Sequence, residues 1–411
     1  MQKNRNYATV VIRKVVTINL SVVLCYKEEK TMASDNCLKK QRKSGVELLK
    51  IIAIVLIVIS HISQTIVKFK FNDALSTNVF MEFNSSFTFE EQIVLFTRTF
   101  GVIGNMIFFI CSSFFLCENN SFRIKQTSKI CFDTWLISWL VLAIYLVFDM
   151  CTRLTINELA IVKSLLPLNF NNNWFIGCYI LIIVVHPLLN CLIEKFDNKK
   201  LLFFCLFFFM IYDVYCFILN EPVFEYGVFL NYALIYLIVG LIKRNYKFIF
   251  EQPKFSYSMI IVGVVGLILT FVILGTSNCD GEIIVNANSN NNVFVALLGL
   301  GLFAVFYRLD ITSKFINYLS SLSLFIYLSH ENLLFRELTR PMLFKWLCEQ
   351  FHTNYLLVLL IMVLIVLFCS AVFSALYKAS LGKITYKLSI VFEKKFKHFV
   401  ELITSKQKTT I

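Results

Sequence analysis

The sequence predicts an all-α protein, a polytopic membrane helix bundle of about ten transmembrane helices. Three observations carry that expectation. Hydrophobic residues make up 58% of the 411 and charged ones only 16%, where a soluble chain holds roughly a quarter charged. Apolar blocks of about 18–22 residues recur, the length that crosses about 30 Å of hydrocarbon at about 1.5 Å per residue. Every second loop is basic, and the loops between are rich in Asn and acidic residues, the bias of a chain threaded back and forth through a bilayer. A transmembrane β-barrel would instead alternate apolar and polar residues in segments of about ten, and these blocks do not.

The spans are expected at residues 46–66, 93–116, 132–150, 174–193, 201–219, 226–242, 257–275, 292–307, 316–335 and 354–377. The basic loops start with Lys39, Lys40, Arg42 and Lys43. Arg123, Lys125 and Lys129 follow, then Lys195, Lys199 and Lys200, then Lys243, Arg244 and Lys247, then Arg308 and Lys314. Lys378, Lys383, Lys387, Lys394, Lys395 and Lys397 come after the last span. The positive-inside rule therefore places a multi-pass protein in the cell membrane with both termini cytoplasmic, which requires an even number of spans. One loop breaks the pattern: Arg336, Arg340 and Lys345 fall on the outer side. The net charge of +13 reads as orientation signal with some attraction to membrane lipids, and nucleic acid is not an expected partner.

Residues 1–41 read as a cytoplasmic N-terminal segment. Within it, Val15 to Tyr26 is apolar for only about a dozen residues, too short to span. Met32 opens a natural lead into the first span, so residues 1–31 read as an extended start or an amphipathic segment, with no assigned role. Residues 42–378 form one membrane domain and 379–411 a basic cytoplasmic tail. The 13 Cys lie mostly inside apolar blocks with no Cys-x-x-Cys pairing near His, so neither a metal site nor a disulfide framework is expected.

With no hydrophilic domain, any chemistry must come from polar groups among the helices, where an ionisable side chain costs at least a few kcal/mol and marks function. The first span, "GVELLKIIAIVLIVISHIS" from Gly45 to Ser63, carries Glu47, Lys50 and His61. Lys50 and His61 are separated by about 1100° of helix, so they point within about 20° of each other. Glu47 precedes Lys50 by one turn on the same stripe. Lys50 lies near the cytoplasmic interface, where snorkelling would also account for it. His61 is about 16 Å further out; a structural imidazole with a hydrogen-bond partner is its alternative reading.

Depth places other groups beside His61. Arg98, in the inward-running second span, lies about 8 Å below the outer surface. His330, followed by Glu331, is about fourteen residues into an outward-running span and reaches a similar level. His61, Arg98 and His330–Glu331 therefore share one depth in the outer half of the membrane. His186 is deeper, just before Pro187, and suits a hydrogen bond at a helix bend. His352 and His398 fall in a loop and the tail. Asp213 is a lone carboxylate with no obvious partner.

These residues resemble a known family. "ELLKIIAIVLIVISH" looks like the opening signature of the acyltransferase-3 family of integral-membrane acyltransferases: an acidic residue, an Arg three later, and a His after ten intervening residues. The positions here are Glu47, Lys50 and His61. Arg98 with "FFICSSFFL" (Phe108 to Leu116) resembles the family's second-span Arg and "FFxxSGxxL", with Ser113 where Gly is usual. "NNWFIGCYILIIVVHPLLN" (Asn172 to Asn190) resembles its "WFL…Y…P" helix, and "SLSLFIYLSHENLLF" (Ser321 to Phe335) its "SFGIYLIH" helix. The four blocks occur in order over residues 42 to 378, and "ELL" before the basic residue resembles the surface-polysaccharide and enterobacterial-common-antigen O-acetyltransferases. The departure is Lys50 for Arg, which keeps the charge and loses the planar bidentate fork.

The resemblance implies transfer of an acyl group, most simply acetyl from acetyl-CoA, to a sugar hydroxyl of an envelope glycan or lipid-linked saccharide. No permanently bound cofactor is expected; acyl-CoA is the donor substrate. His61 is the expected general base or acyl-accepting nucleophile, Arg98 the oxyanion or acceptor-positioning group, and Lys50 the donor-side cation balanced by Glu47. His330, Glu331 and Trp174 are acceptor-side or structural candidates. The alternatives are a transporter or flippase of glycan intermediates, a glycan polymerase or ligase, and an inactive sensor on the same scaffold. Internal symmetry of interrupted helices would favour the transporter, and the chain shows none.

Overall fold

The computed structural model describes residues 43–70, 88–152, 156–169, 173–219, 227–276, 292–351 and 354–408. The N-terminal segment before residue 43, most of the Asn-rich outer loop, His352 and the side chain of Asp213 lie outside the described residues. Helix α1 (Ser44–Lys70) is followed by α2 (Phe89–Thr97), α3 (Phe100–Leu116), α4 (Ile124–Thr152) and α5 (Glu158–Leu165). Then come α6 (Trp174–Lys195), α7 (Asn198–Leu219), α8 (Gly227–Asn245), the single turn α9 (Phe248–Glu251) and α10 (Pro253–Thr276). The chain continues through α11 (Val293–Arg308), α12 (Lys314–Ser320) and α13 (Ser323–His330). A π-helical turn over Phe335–Thr339 leads into α14 (Arg340–Gln350), α15 (Tyr355–Ala379) and α16 (Gly382–Lys408).

Among the described residues, seven segments are long and apolar enough to cross a membrane: 44–69, 89–116, 124–148, 174–195, 228–245, 253–272 and 355–379. They fall on seven of the expected spans. Helix α7 covers the expected 201–219, and α11, at 16 residues, is a shorter apolar helix at the expected 292–307. The stretch expected as one span over 316–335 is divided into α12, α13 and the π turn. Asn332 makes that break: its side-chain oxygen accepts from Leu334 N at 3.1 Å, a local bond that competes with helix continuation.

Helix α1 is the hub, packed against α2, α3, α11, α12, α13, α14 and α15. Leu49, Ala53 and Ile57, then Val58, Ile62 and Ile66, recur at four-residue spacing and are buried, two adjacent rows that make a broad apolar face. Its N-terminal end is tied to α12: the Ser44 hydroxyl donates to Asn317 Oδ1 at 3.0 Å and accepts from Ser313 N at 2.9 Å. Against α3 the contact is backbone-close. A Cβ on Gly104 would stand 2.6 Å from the Ala53 carbonyl oxygen, and one on Gly101 2.6 Å from Ser60 Oγ. Only glycine permits this approach.

The second apolar segment begins at a capping box, with Thr88 N donating to Glu91 Oε2 at 2.8 Å. It bends at Arg98–Thr99, where the Thr97 and Thr99 hydroxyls donate to Val94 O and Phe96 O. In α6, Pro187 has no N–H for the carbonyl four residues back, Ile183. His186 Nδ1 donates to that carbonyl at 2.6 Å, the helix-bend bond the sequence suggested.

Several basic residues close helix ends. Lys243 Nζ donates to Phe114 O at 2.5 Å and pairs with Glu118 at 2.8 Å, while Arg244 donates to Cys117 O and pairs with Glu194 at 3.0 Å. Both therefore sit at the C-terminal end of α3, where the helix dipole favours cations. The region read as a basic tail is largely the 27-residue helix α16. It is anchored by Asp133 of α4, which accepts from Lys129 at 2.5 Å, Tyr377 at 2.9 Å and Thr385 at 2.6 Å.

Filling the α1–α3 contact should loosen the bundle. Gly104→Val is expected to cost about 1–3 kcal/mol and to lower the melting temperature of purified protein in detergent. Gly177→Val, where a Cβ meets nothing within 4 Å, should leave that temperature nearly unchanged.

Candidate active site

The break after α13 puts His330 at a helix C-terminus and Glu331 in its cap, both turned onto α1 at the level of His61. His61 Nδ1 lies 2.9 Å from Glu331 Oε2 and 3.0 Å from His330 Nε2. His330 Nδ1 is 2.6 Å from the Ile326 carbonyl oxygen. A carbonyl only accepts, so His330 Nδ1 carries the proton and Nε2 is a lone pair. An ionised carboxylate likewise only accepts. His61 Nδ1 therefore holds a proton shared between Glu331 Oε2 and His330 Nε2, and in the neutral ring the unprotonated nitrogen of His61 is Nε2.

The two imidazoles differ in access. His330 is fully buried, whereas His61 keeps 15% of its side chain open. Of the two rings, it is that of His61 that stays partly open. Tyr327 packs beside both rings, with ring centroids 6.4 Å from His61 and 5.8 Å from His330. Its ring packs at 5.2 Å on Phe175, which meets Trp174 at 6.0 Å. Trp174 therefore reaches the cluster only through two other aromatic rings.

Arg340 completes the centre. It is 2% exposed, the largest of the fully buried side chains, and it donates to Glu331 Oε2 at 2.6 Å, to His61 O at 3.3 Å and to the His330 carbonyl. Arg336 Nη1 takes the other carboxylate oxygen at 2.9 Å and its Nε pairs with Glu337 at 3.0 Å. These arginines are two of the three charges that broke the positive-inside pattern. They answer carboxylates, and Lys345 is exposed. Sequence reading missed Arg340 because a π turn sets its direction, and π turns have no reliable sequence mark. The available signal was an unexplained outer Arg a few turns beyond the pair His330–Glu331.

The other expected site residues are placed elsewhere. Arg98 is at the bend between α2 and α3, and its carbonyl accepts from Ser60 Oγ at 2.6 Å, one residue before His61. This is the depth the sequence assigned to it. Lys50 and Glu47 pair at 3.4 Å, Glu47 also accepts from the Ser320 hydroxyl, and Lys50 Nζ lies 5.8 Å from the Phe115 ring centre. That pair is about 16–21 Å along α1 from His61 and joins α1 to α12 at the opposite end.

His61, His330 and Glu331 offer one ligand atom each within 4.8 Å, a set that could hold a metal ion. An ion bound there would have to displace the His61 Nδ1 proton and sit beside the Arg340 guanidinium on Glu331 Oε2.

A family model described as an acyltransferase domain, Acyl_transf_3, matches residues 43–375. The chain belongs to that family: it is an acyltransferase-family protein built on a bundle of membrane-type apolar helices. No curated protein matches it, and no solved structure does.

Removing the buried guanidinium should be far costlier than removing the outer one. Arg340→Met is expected to cost about 3–5 kcal/mol, because Glu331 loses its buried partner. Arg336→Met, at a residue 32% exposed, should cost under about 1 kcal/mol. Thermal unfolding of the two purified variants in the same detergent checks the difference.

Proposed function

We propose that the protein is a membrane O-acyltransferase, moving an acyl group, most simply acetyl, from cytoplasmic acetyl-CoA or another acyl-CoA to a hydroxyl of a cell-envelope polysaccharide or its lipid-linked precursor. Membership of the acyltransferase family supports the reaction class. The observation that carries the mechanism is the pinned ring of His61. With Nδ1–H held by Glu331 and His330, Nε2 is left as the base.

An acceptor hydroxyl at Nε2 gives up its proton as its oxygen attacks the thioester carbonyl, forming a tetrahedral oxyanion. Collapse breaks the carbon–sulfur bond, and the imidazolium returns the proton to the leaving thiolate of CoA. Glu331 balances the imidazolium charge between those steps, and Arg340 holds Glu331 and the His61 backbone in place. Arg98, on the neighbouring bend at this depth, stabilises the oxyanion. Lys50, on the cytoplasmic side, attracts the CoA phosphates, with Glu47 orienting it. In the variant with an acyl-His61 intermediate, Nε2 attacks the thioester first, and the same pinned tautomer serves.

Membranes given radiolabelled acetyl-CoA test this. Label should reach envelope polysaccharide with the parent, and its rate should fall by about 10²–10⁴ in His61→Ala and by a smaller factor in Glu331→Gln. Lys50→Ala should raise the KM for the donor more than it lowers kcat. Transfer that survives His61→Ala would sink the assignment of the base. No transfer from any acyl-CoA would instead favour a glycan transporter or an inactive sensor.

A further inference from the structure

The last helix has a surface that acyl transfer does not use. Helix α16 begins two residues after the apolar helix α15 ends at Ala379, so it starts at the membrane boundary. At about 100° per residue its side chains sort into three faces. Thr385 and Ser389 are buried, and Thr385 donates to Asp133 of α4. Ile384, Leu388, Val391, Phe392, Phe399 and Leu402 fall within an arc of about 100°. Each is between 45% and 59% exposed. Lys383, Lys387, Lys394 and Lys397 form a separate arc centred about 130° away. Lys395 interrupts the apolar arc, on a stem long enough to lift its ammonium to headgroup level.

An apolar stripe about 27 Å long beside a row of lysines suits neither water nor the hydrocarbon core, and it is the pattern of a helix lying in the interface. Across Gly382–Lys408 there are seven Lys against Glu393 and Glu401. Where α16 crosses α4, Arg123, Lys125 and Lys129 line an open cleft with Tyr386 and Glu393. Lys125 Nζ donates to the Tyr386 hydroxyl at 2.9 Å. The positive charge is therefore continuous from α16 onto the adjoining loop.

We propose that α16 is an interfacial helix that binds anionic phospholipid on the basic side of the membrane. Its apolar arc enters the boundary between headgroups and acyl chains. Its lysines, with Arg123 and Lys125, pair with the lipid phosphates. The bound leaflet thereby fixes the angle between α16 and α4.

Hydrogen–deuterium exchange of the full chain in lipid nanodiscs tests this, comparing phosphatidylcholine alone with a phosphatidylcholine–phosphatidylglycerol mixture. Backbone exchange over residues 384–402 should slow by about fivefold or more when phosphatidylglycerol is present, while α10 exchanges equally in both. High salt should remove the difference by screening. A Lys383→Gln/Lys387→Gln/Lys394→Gln variant should lose the phosphatidylglycerol increment. Leu388→Ser/Phe399→Ser should exchange faster in both lipids, and unchanged α1 and α3 exchange shows that each variant is folded. Equal exchange in the two lipids, or an increment that survives the Lys→Gln changes, would overturn the proposal. So would protection seen only in discs holding two copies, because a second chain would then cover the arc.

Discussion

A carboxylate taken out of water into an apolar helix bundle costs several kcal/mol unless it is paired and hydrogen-bonded, and Glu331 shows how that cost is met. Its Oε2 receives His61 Nδ1–H at 2.9 Å and Arg340 at 2.6 Å, and its Oε1 receives Arg336 at 2.9 Å. The donors come from α1, from the start of α14 and from the π turn, three pieces that share no local sequence. With Glu337 on Arg336, two arginines face two carboxylates. Lys68 also pairs with Glu337 at 3.5 Å, and the Glu331 carboxylate lies directly against the His61 ring.

The surrounding architecture follows from that arrangement. Ending α13 at His330 exposes the His330 carbonyl that Arg340 satisfies, and the break at Asn332 lets Glu331 leave the helix axis towards α1. The π turn after it aims Arg340 back into the bundle. Gly101 and Gly104 bring α3 against α1, so that Ser60 reaches the carbonyl of Arg98. A helix kept close by glycines and a loop held by two arginines thus fix His61 from opposite sides. The Glu47–Lys50 pair uses the same face of α1 at its far end, linked to α12 through Ser320. One helix therefore carries the Glu47–Lys50 pair near one end and the imidazole further along.

Much of this was legible in the sequence, for physical reasons. Apolar length gave the spans, because hydrocarbon thickness admits few alternatives. Helical angle and rise put Glu47, Lys50 and His61 on one stripe, and depth put His330, Glu331 and Arg98 level with His61. His186 before Pro187 was legible because proline always leaves the same carbonyl empty. What was hidden depended on breaks and on direction. The expected span at 316–335 is interrupted by the local bonding of Asn332. Arg340 read as a loop charge because hydropathy registers cost and not partners. The tail read as a charge run because its lysines outweigh a helical period that shows only when the angles are drawn.

The central claim is a proton position: Nδ1–H and a bare Nε2 on His61. The sequence has only five His, so solid-state ¹⁵N NMR of histidine-labelled protein in lipid at alkaline pH can read them individually, with His61→Gln assigning the signal. The account predicts that His61 has a protonated Nδ1 coupled to the Glu331 carboxylate and an unprotonated Nε2. A His61 signal with the proton on Nε2 and a bare Nδ1 would contradict it.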